Sequence, residues 1–463
     1  MAGTTLPPLV ANRESAAVSA DLITAWSEAL AAAKTRQLQS VFLMSTSTSQ
    51  SRVLCLVAIA ELLAKSLWFS GTAVIPQLSR EWHADISLTS WLTLAVQLGF
   101  VAGALILAAS NLLDLVSAAW IFAASGVLGA IFNGAFALIA ADHVGLALLF
   151  RFLTGMIAAG VYPTGMKLLT GWFGRERRGL AMGIVVGAIT VGSALPHAVH
   201  IGSLPWRQVV YVCSGFSLLA AALMLGVREG PLQVAQPSFD FRQWSQALRN
   251  RRLRLANLGY LGHMWELYSM WGWITLLLAA AAPGTSHRLL ETLSFAAIAA
   301  GLLGCVWAGY VSDRNQRPVQ DSASLDVRAR ARVTIVAMAT SGMCCVLVAI
   351  FFHHFWLVVA ISFVWGISVV ADSAQFSTIV SEVSDQRYVG TALTMQTAMG
   401  FLLTAVSIRM VAAIGTAYGW RWAALSMAIG PAMGVLAMVR LQHAPETAGV
   451  STAAAVIAGD GAV

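Results

Sequence analysis

An all-α membrane protein is the fold class this sequence predicts, with twelve transmembrane helices in two pseudo-symmetric six-helix bundles. Three observations predict it. Hydrophobic residues fill 58% of the 463 positions and charged residues only 11%, against roughly 45–50% and about 25% in soluble domains. Twelve stretches are apolar over about the length a helix needs to cross a bilayer. The two halves of the chain repeat the same local signals in the same order. Disorder is excluded, because it needs low hydrophobicity and high charge.

The stretches lie near 53–76, 87–110, 117–140, 144–170, 180–202, 206–227, 256–281, 289–311, 331–352, 355–380, 390–414 and 420–441. Residues 53–227 make the first bundle and 256–441 the second, joined by a cytoplasmic linker over 228–255. That linker mixes Phe239, Phe241, Trp244 and Leu248 with arginines, a pattern suited to an anionic leaflet or to a solvated connection. Residues 1–52 are read as a disordered cytoplasmic extension without a signal peptide's basic start and apolar run. Met44 offers a second start, which makes 1–43 dispensable. The small, Ala-rich end, 442–463, is read as a disordered tail.

Segments after even-numbered stretches carry fifteen arginines against four on the other side. Positive residues favour the cytoplasm, so both termini are expected there, in a bacterial cytoplasmic membrane. The basic balance of +7 is scattered between apolar stretches, not gathered on one face, which argues against nucleic acid as a partner. The five cysteines all fall in apolar segments, so neither a disulfide framework nor a metal site is expected.

The repeat is carried by several kinds of match. Glu61-Leu62 precedes Trp68 as Glu266-Leu267 precedes Trp273, at the same spacing. The loop after stretch 8 reads Gly309-Tyr310-Val311-Ser312-Asp313-Arg314, and a degenerate copy with Asp114 follows stretch 2. Trp206-Arg207 opens stretch 6 as Trp420-Arg421 opens stretch 12.

With these residues the sequence resembles the major facilitator superfamily. Gly309-x-x-x-Asp313-Arg314 with Arg317 matches that family's loop signature, and Arg151-x-x-x-Gly155 matches another. Around Gly259–Tyr268 it is similar to bacterial permeases loosely grouped with cyanate-type transporters. The resemblance implies two bundles rocking about a central site lined by helices 1, 4, 7 and 10. It departs from the pattern at Ser110 and Leu115, which replace the glycine and arginine of the first loop copy. Ala188 stands where the family's antiporter signature has Gly-Pro, which counts against drug efflux.

Ionisable residues deep in a bilayer are functional hypotheses by default. Here they are Glu61 and Lys65, Arg151, His263 and Glu266, and Asp372 with Gln375 one turn on. They select the same four helices independently. Glu61 and Lys65, four apart, share a helix face, as a self-neutralising pair or as a switchable one that frees Lys65 for an anion. Arg151 either holds helix packing or meets substrate. His263 and Glu266 can carry protons, as His titrates near neutrality, or form a buried hydrogen-bonded pair. Asp372 is a proton or substrate site, or a partner for Arg151. Lys167, Arg409, His197 and His200 are read as interfacial. Asp114, Gly309, Asp313, Arg314 and Arg317 are read as a gate: Asp313 caps a helix start or pairs with an arginine across the bundles.

The function expected is secondary transport of a small organic solute, with a preference for anions, coupled to protons. The alternative is proton-coupled efflux of drugs or hydrophobic cations, favoured by the acids and the aromatics of stretch 7. No nucleophile elbow, zinc-protease motif or nucleotide loop occurs, so an enzyme is not expected. Nor is a cofactor. Substrate, protons and membrane lipid are the partners, and a monomer is the default, since twelve helices complete a transporter.

Overall fold

The computed structural model describes residues 49–444, apart from 84–85, 111, 141, 202–203, 233–249, 315–321 and 385–388. The expectations for 1–43, for the centre of the linker, for the C-terminal tail and for Arg317 fall outside the described residues. The described residues from Leu54 onward cluster as one compact unit, and every contact below lies within it.

All regular structure among the described residues is helical. In chain order the long helices are α1 (Ser49–Glu81), α2 (Ile86–Ala109), α3 (Ala118–Ile139), α4 (Val144–Trp172), α5 (Arg175–His200) and α6 (Trp206–Met224). The second half supplies α7 (Arg251–Ala281), α8 (His287–Arg314), α9 (Ser322–Ile350), α10 (Phe355–Val383), α11 (Val389–Tyr418) and α12 (Trp420–Gln442). Eleven helices among the described residues are long and apolar enough to cross a membrane. The expected twelfth, α7, has 31 residues and ample length. Its apolar run is interrupted by Asn257, His263, Glu266 and Ser269, and all four are buried. These polar groups face protein, where His263, Glu266 and Ser269 find partners, so α7 reads as an interior helix.

Local chemistry sets several boundaries. Asn250 caps α7 by accepting from the Arg252 and Leu253 amides at 2.9 and 3.2 Å, and Ser286 caps α8 through the Leu289 amide. Five of the long helices are interrupted: α1 at Val74, α8 at Ala300 and α12 at Ala428, together with α4 and α10. In α4 the segments are Val144–Ala158 and Tyr162–Trp172. Pro163 lacks an N–H and its ring collides with the carbonyl four residues back, so the ladder is interrupted near Ala159. In α10 the break falls at Asp372, between Phe355–Ala371 and Ser373–Val383, with no proline to account for it. Because α4 and α10 hold the same position in the two halves, the shared break extends the internal repeat.

The halves meet along two seams, α2 with α11 and α5 with α8. The second seam is backbone against backbone. A methyl group added at Gly183 or Gly187 would run into Cys305 and Leu302 of α8. Glycines are what allow helices to approach this closely.

Candidate functional site

A cavity of about 130 Å³ sits between the halves, with Glu61 and Lys65 of α1, Tyr162 of α4 and Thr190 of α5 on one wall. Tyr260, His263, Tyr268 and Trp271 of α7 and Ser373 of α10 form the other wall. A chamber of about 290 Å³ adjoins it, sharing Phe100, Tyr162 and Ser377, and runs between α2 and α11 past Lys167 and Gly390. Towards the other face the same helices close. Trp68, Phe100, Tyr268 and Phe401 form an aromatic layer with ring centroids 4.5–5.9 Å apart. Beyond it Thr404 donates to Gln97 at 2.8 Å, and Arg409 donates to Ser90 at 3.3 Å. The cavity therefore continues through the chamber towards one end of the α2–α11 seam and is closed off by the aromatic layer towards the other.

On the α1 wall, Lys65 makes no direct ion pair with Glu61. Its ammonium lies 3.7 Å over the Trp68 ring and 3.5 Å from the Tyr268 hydroxyl, on the opposite half of the chain. Glu61 is buried against Gly165 of α4, where an added methyl would overlap Oε1. Several buried polar atoms of the lining residues have no hydrogen-bond partner: Glu61 Oε1, Trp68 Nε1 and Trp271 Nε1. Buried polar groups are ordinarily paired, so this set has capacity for a polar occupant. The residues lining the cavity thus carry an ammonium, two unpaired indole N–H groups and one unpaired carboxylate oxygen.

His263 lines the cavity from α7. Its Nδ1 lies 2.8 Å from Asp372 Oδ1 and its Nε2 lies 3.0 Å from the Ser373 hydroxyl. The approach to Asp372 is an ion-pair contact without hydrogen-bond alignment, since neither Asp372 oxygen has an aligned donor. Asp372 is thus a partner of His263 at the α10 break rather than of Arg151.

The other predicted residues lie elsewhere. Arg151 is fully buried behind α1, donating to Leu67 O, Trp68 O, Ser70 Oγ and Asn133 Oδ1 at 3.1, 2.6, 3.2 and 2.8 Å. Glu266 points into the second half, accepting from Ser341, Cys345 and Trp365 at 2.8, 3.1 and 2.7 Å. Gln375 accepts from Arg330 at 3.2 Å, and Arg330 also holds Glu382 and Ser312. Tyr162 and Tyr260 were not singled out from the sequence. Tyrosine at helical spacing carries no charge signal, and only the fold brings these two to one cavity.

Comparison with known proteins adds the family. The Major Facilitator Superfamily model matches residues 54–320, more than half of the chain. The chain belongs to this superfamily. It is similar to a probable L-galactonate transporter of Escherichia coli (strain K12), 24% identical over 270 residues, covering 51% of this chain and 58% of that protein. It is also similar to an uncharacterized MFS-type transporter of Mycobacterium tuberculosis (strain CDC 1551 / Oshkosh), 37% identical over 91 residues, or 18% of this chain and 19% of that one. The chain thus spans less than two thirds of the length of either relative. The family is one of transporters and not of enzymes. The narrower likeness to cyanate-type permeases has no counterpart among these matches.

The superfamily's loop signature sits at the α5–α8 seam. Asp313 accepts from the Gly179 and Leu180 amides in the first turns of α5, at 3.0 and 2.7 Å. A carboxylate there also meets the positive end of the helix dipole. Gly309 lets the strands of backbone touch, since a methyl on it would run into the Gly179 carbonyl. Arg314 is exposed, and Asp114 lies in a single-turn helix, Leu112–Leu115.

Proposed function

We propose that this superfamily member is a secondary transporter that moves a small organic anion by alternating access and carries a proton with it. The observation that carries the reading is the unmatched donor set in the cavity: the Lys65 ammonium, paired to no carboxylate, beside the unpartnered indole N–H groups of Trp68 and Trp271. A carboxylate with hydroxyl neighbours supplies the acceptors these groups lack. L-galactonate, named for the Escherichia coli relative, has that chemistry, and sugar acids are the substrate class we favour.

Charge balance motivates the proton. One ammonium offsets one anion; a second anion, on Glu61, is uncompensated in a dry cavity and costly. Glu61 therefore holds a proton while substrate occupies Lys65 and releases it after substrate leaves. This makes the transport a symport. His263 and Asp372 form a second site through which the C-terminal half senses charge. Efflux of hydrophobic cations fits less well, because Lys65 already occupies the Trp68 face that a cation would need.

In this reading both termini are cytoplasmic, the protein acts as a monomer in a bacterial cytoplasmic membrane, and the open chamber faces the cytoplasm. The test is lumenal pH in proteoliposomes holding the full chain, challenged in turn with sugar acids, simple carboxylates and organic amines. A sugar acid should move protons into the lumen, and Lys65→Gln should abolish the signal. Tracer flux of a sugar acid with no pH change would exclude proton coupling. A response to amines alone would exclude the anion.

A further inference from the structure

The α5–α8 seam carries a second polar cluster at the end opposite Asp313. Three histidines surround one buried carboxylate there. His197 Nδ1 lies 2.6 Å from Glu291 Oε2, while His200 Nδ1 and His287 Nδ1 lie 3.6 and 3.8 Å from Glu291 Oε1. His197 and His200 belong to the N-terminal half; His287 and Glu291 belong to the C-terminal half, Glu291 lying 94 residues beyond His197. Nothing in their spacing along the chain joins them, and a metal site is not expected from the sequence.

We propose that His200, His287 and Glu291 bind a divalent transition-metal ion such as Zn²⁺, and that the ion clasps the two halves together on this face. The donor atoms already lie within 4.8 Å of one another. A tetrahedral zinc with bonds of about 2.0–2.1 Å holds its ligand atoms roughly 3.3–3.4 Å apart. The 3.6 and 3.8 Å separations need only side-chain rotation to close. Two imidazoles with one carboxylate select zinc, cobalt or nickel over the oxygen-seeking magnesium and calcium.

Supporting contacts already surround the ligands. His197 holds the second oxygen of Glu291, leaving Oε1 for the ion. The Gln77 side-chain amide lies 2.7 Å from His200 Nε2. With the amide oxygen turned to that ring nitrogen, Nε2 carries the proton and Nδ1 presents its lone pair. His200 Nδ1 is buried and has no hydrogen-bond partner, so its lone pair is not committed elsewhere. Such outer partners fix the tautomer of a ligating histidine. His287, with 43% of its side chain exposed, leaves an entry path and a fourth position for water.

Binding stands apart from any transported solute; the clasp rests on the alternating-access reading above. The first readout is Co²⁺ absorption and Zn²⁺ competition on the purified full chain. One ion per chain should bind, at least tenfold more weakly in His287→Ala, and about 10–100-fold more weakly in Gln77→Leu, which removes an outer partner. His287 is half exposed, so its loss leaves folding intact. No saturable binding, or binding unchanged in His287→Ala, would overturn the site. The second readout is alkylation of Ser377→Cys, in a Cys55→Ser background, by a membrane-impermeant maleimide applied from the face bearing His287. Zn²⁺ should slow labelling at least tenfold, and His287→Ala should remove the effect. Binding with labelling unchanged by Zn²⁺ would refute the clasp while leaving the site. Ser377→Cys that never labels from this face, with or without Zn²⁺, would count against alternating access itself.

Discussion

Replacing Arg151 separates two roles that the sequence alone leaves open, a clasp for helix packing and a contact for substrate. Arg151→Met keeps most of the volume and removes the guanidinium. The wild-type side chain makes four hydrogen bonds to α1 and α3. At about 1.5–3 kcal/mol for each charge-assisted bond they would total about 6–12 kcal/mol if independent. They are not independent. Ser70 lies 2.9 Å from both Leu67 O and Asn133 Oδ1, and its single proton can serve only one of them. Losing Arg151 therefore orphans about one buried acceptor, costing about 1–3 kcal/mol, while the desolvation of a buried cation is relieved. The expected net loss is thus no more than about 1–3 kcal/mol. Unfolding in mixed micelles, followed by tryptophan fluorescence, measures it; substrate affinity in the fraction that remains folded should change less than threefold. Unfolding within about 0.5 kcal/mol of wild type, together with lost binding, would refute the clasp and return Arg151 to the substrate site.

Other perturbations test neighbouring features. Gly165→Ala should abolish transport without preventing insertion, because its methyl overlaps Glu61 Oε1; uptake in Gly165→Ala at more than a tenth of wild type would count against the tight α1–α4 contact. Asp313→Asn removes the charge that holds the Gly179 and Leu180 amides. Its α5–α8 contact should weaken by about 1.5–3 kcal/mol, read as at least a tenfold rise in cysteine labelling along that end of the seam. Glu266→Gln has one acceptor oxygen for three donors, so it should cost about 1–3 kcal/mol of stability and lower the amount of folded protein while leaving KM unchanged. A raised KM with normal protein levels would instead place Glu266 on the substrate path.

Much of the architecture is legible in the sequence because a bilayer imposes a length on every span. The helices fall where hydropathy places them, and the Pro163 break has a local cause that can be read from one residue. The Asp372 break has none. The cavity-bearing helices are also legible, since buried charge marks α1, α4, α7 and α10. Which way each charge points is not. On a soluble helix the polar face identifies the outside, but here all faces are apolar. Glu61 and Glu266 sit in matching Glu-Leu pairs, yet Glu61 lines the cavity and Glu266 is held by α9 and α10. The partner of Lys65 could not be read either, because Tyr268 lies 203 residues away. The α5 histidines carry the same lesson, as their partners come from the other half of the chain.

The α5–α8 seam, finally, has a consequence for mechanics. Where Gly183 lies on the Cys305 carbonyl and Gly187 beneath the Leu302 side chain, α5 contributes no knob of its own: a glycine has no rotamers to re-sort. A joint of this kind behaves like a plain bearing. Displacement along it encounters few discrete steps, and the resistance to motion comes from its ends, where Asp313 grips α5 at one end and the histidine cluster grips α8 at the other. Such a joint separates the part that bears the load from the parts that set the stops, so the timing of the cycle can be retuned at the ends without recutting the bearing.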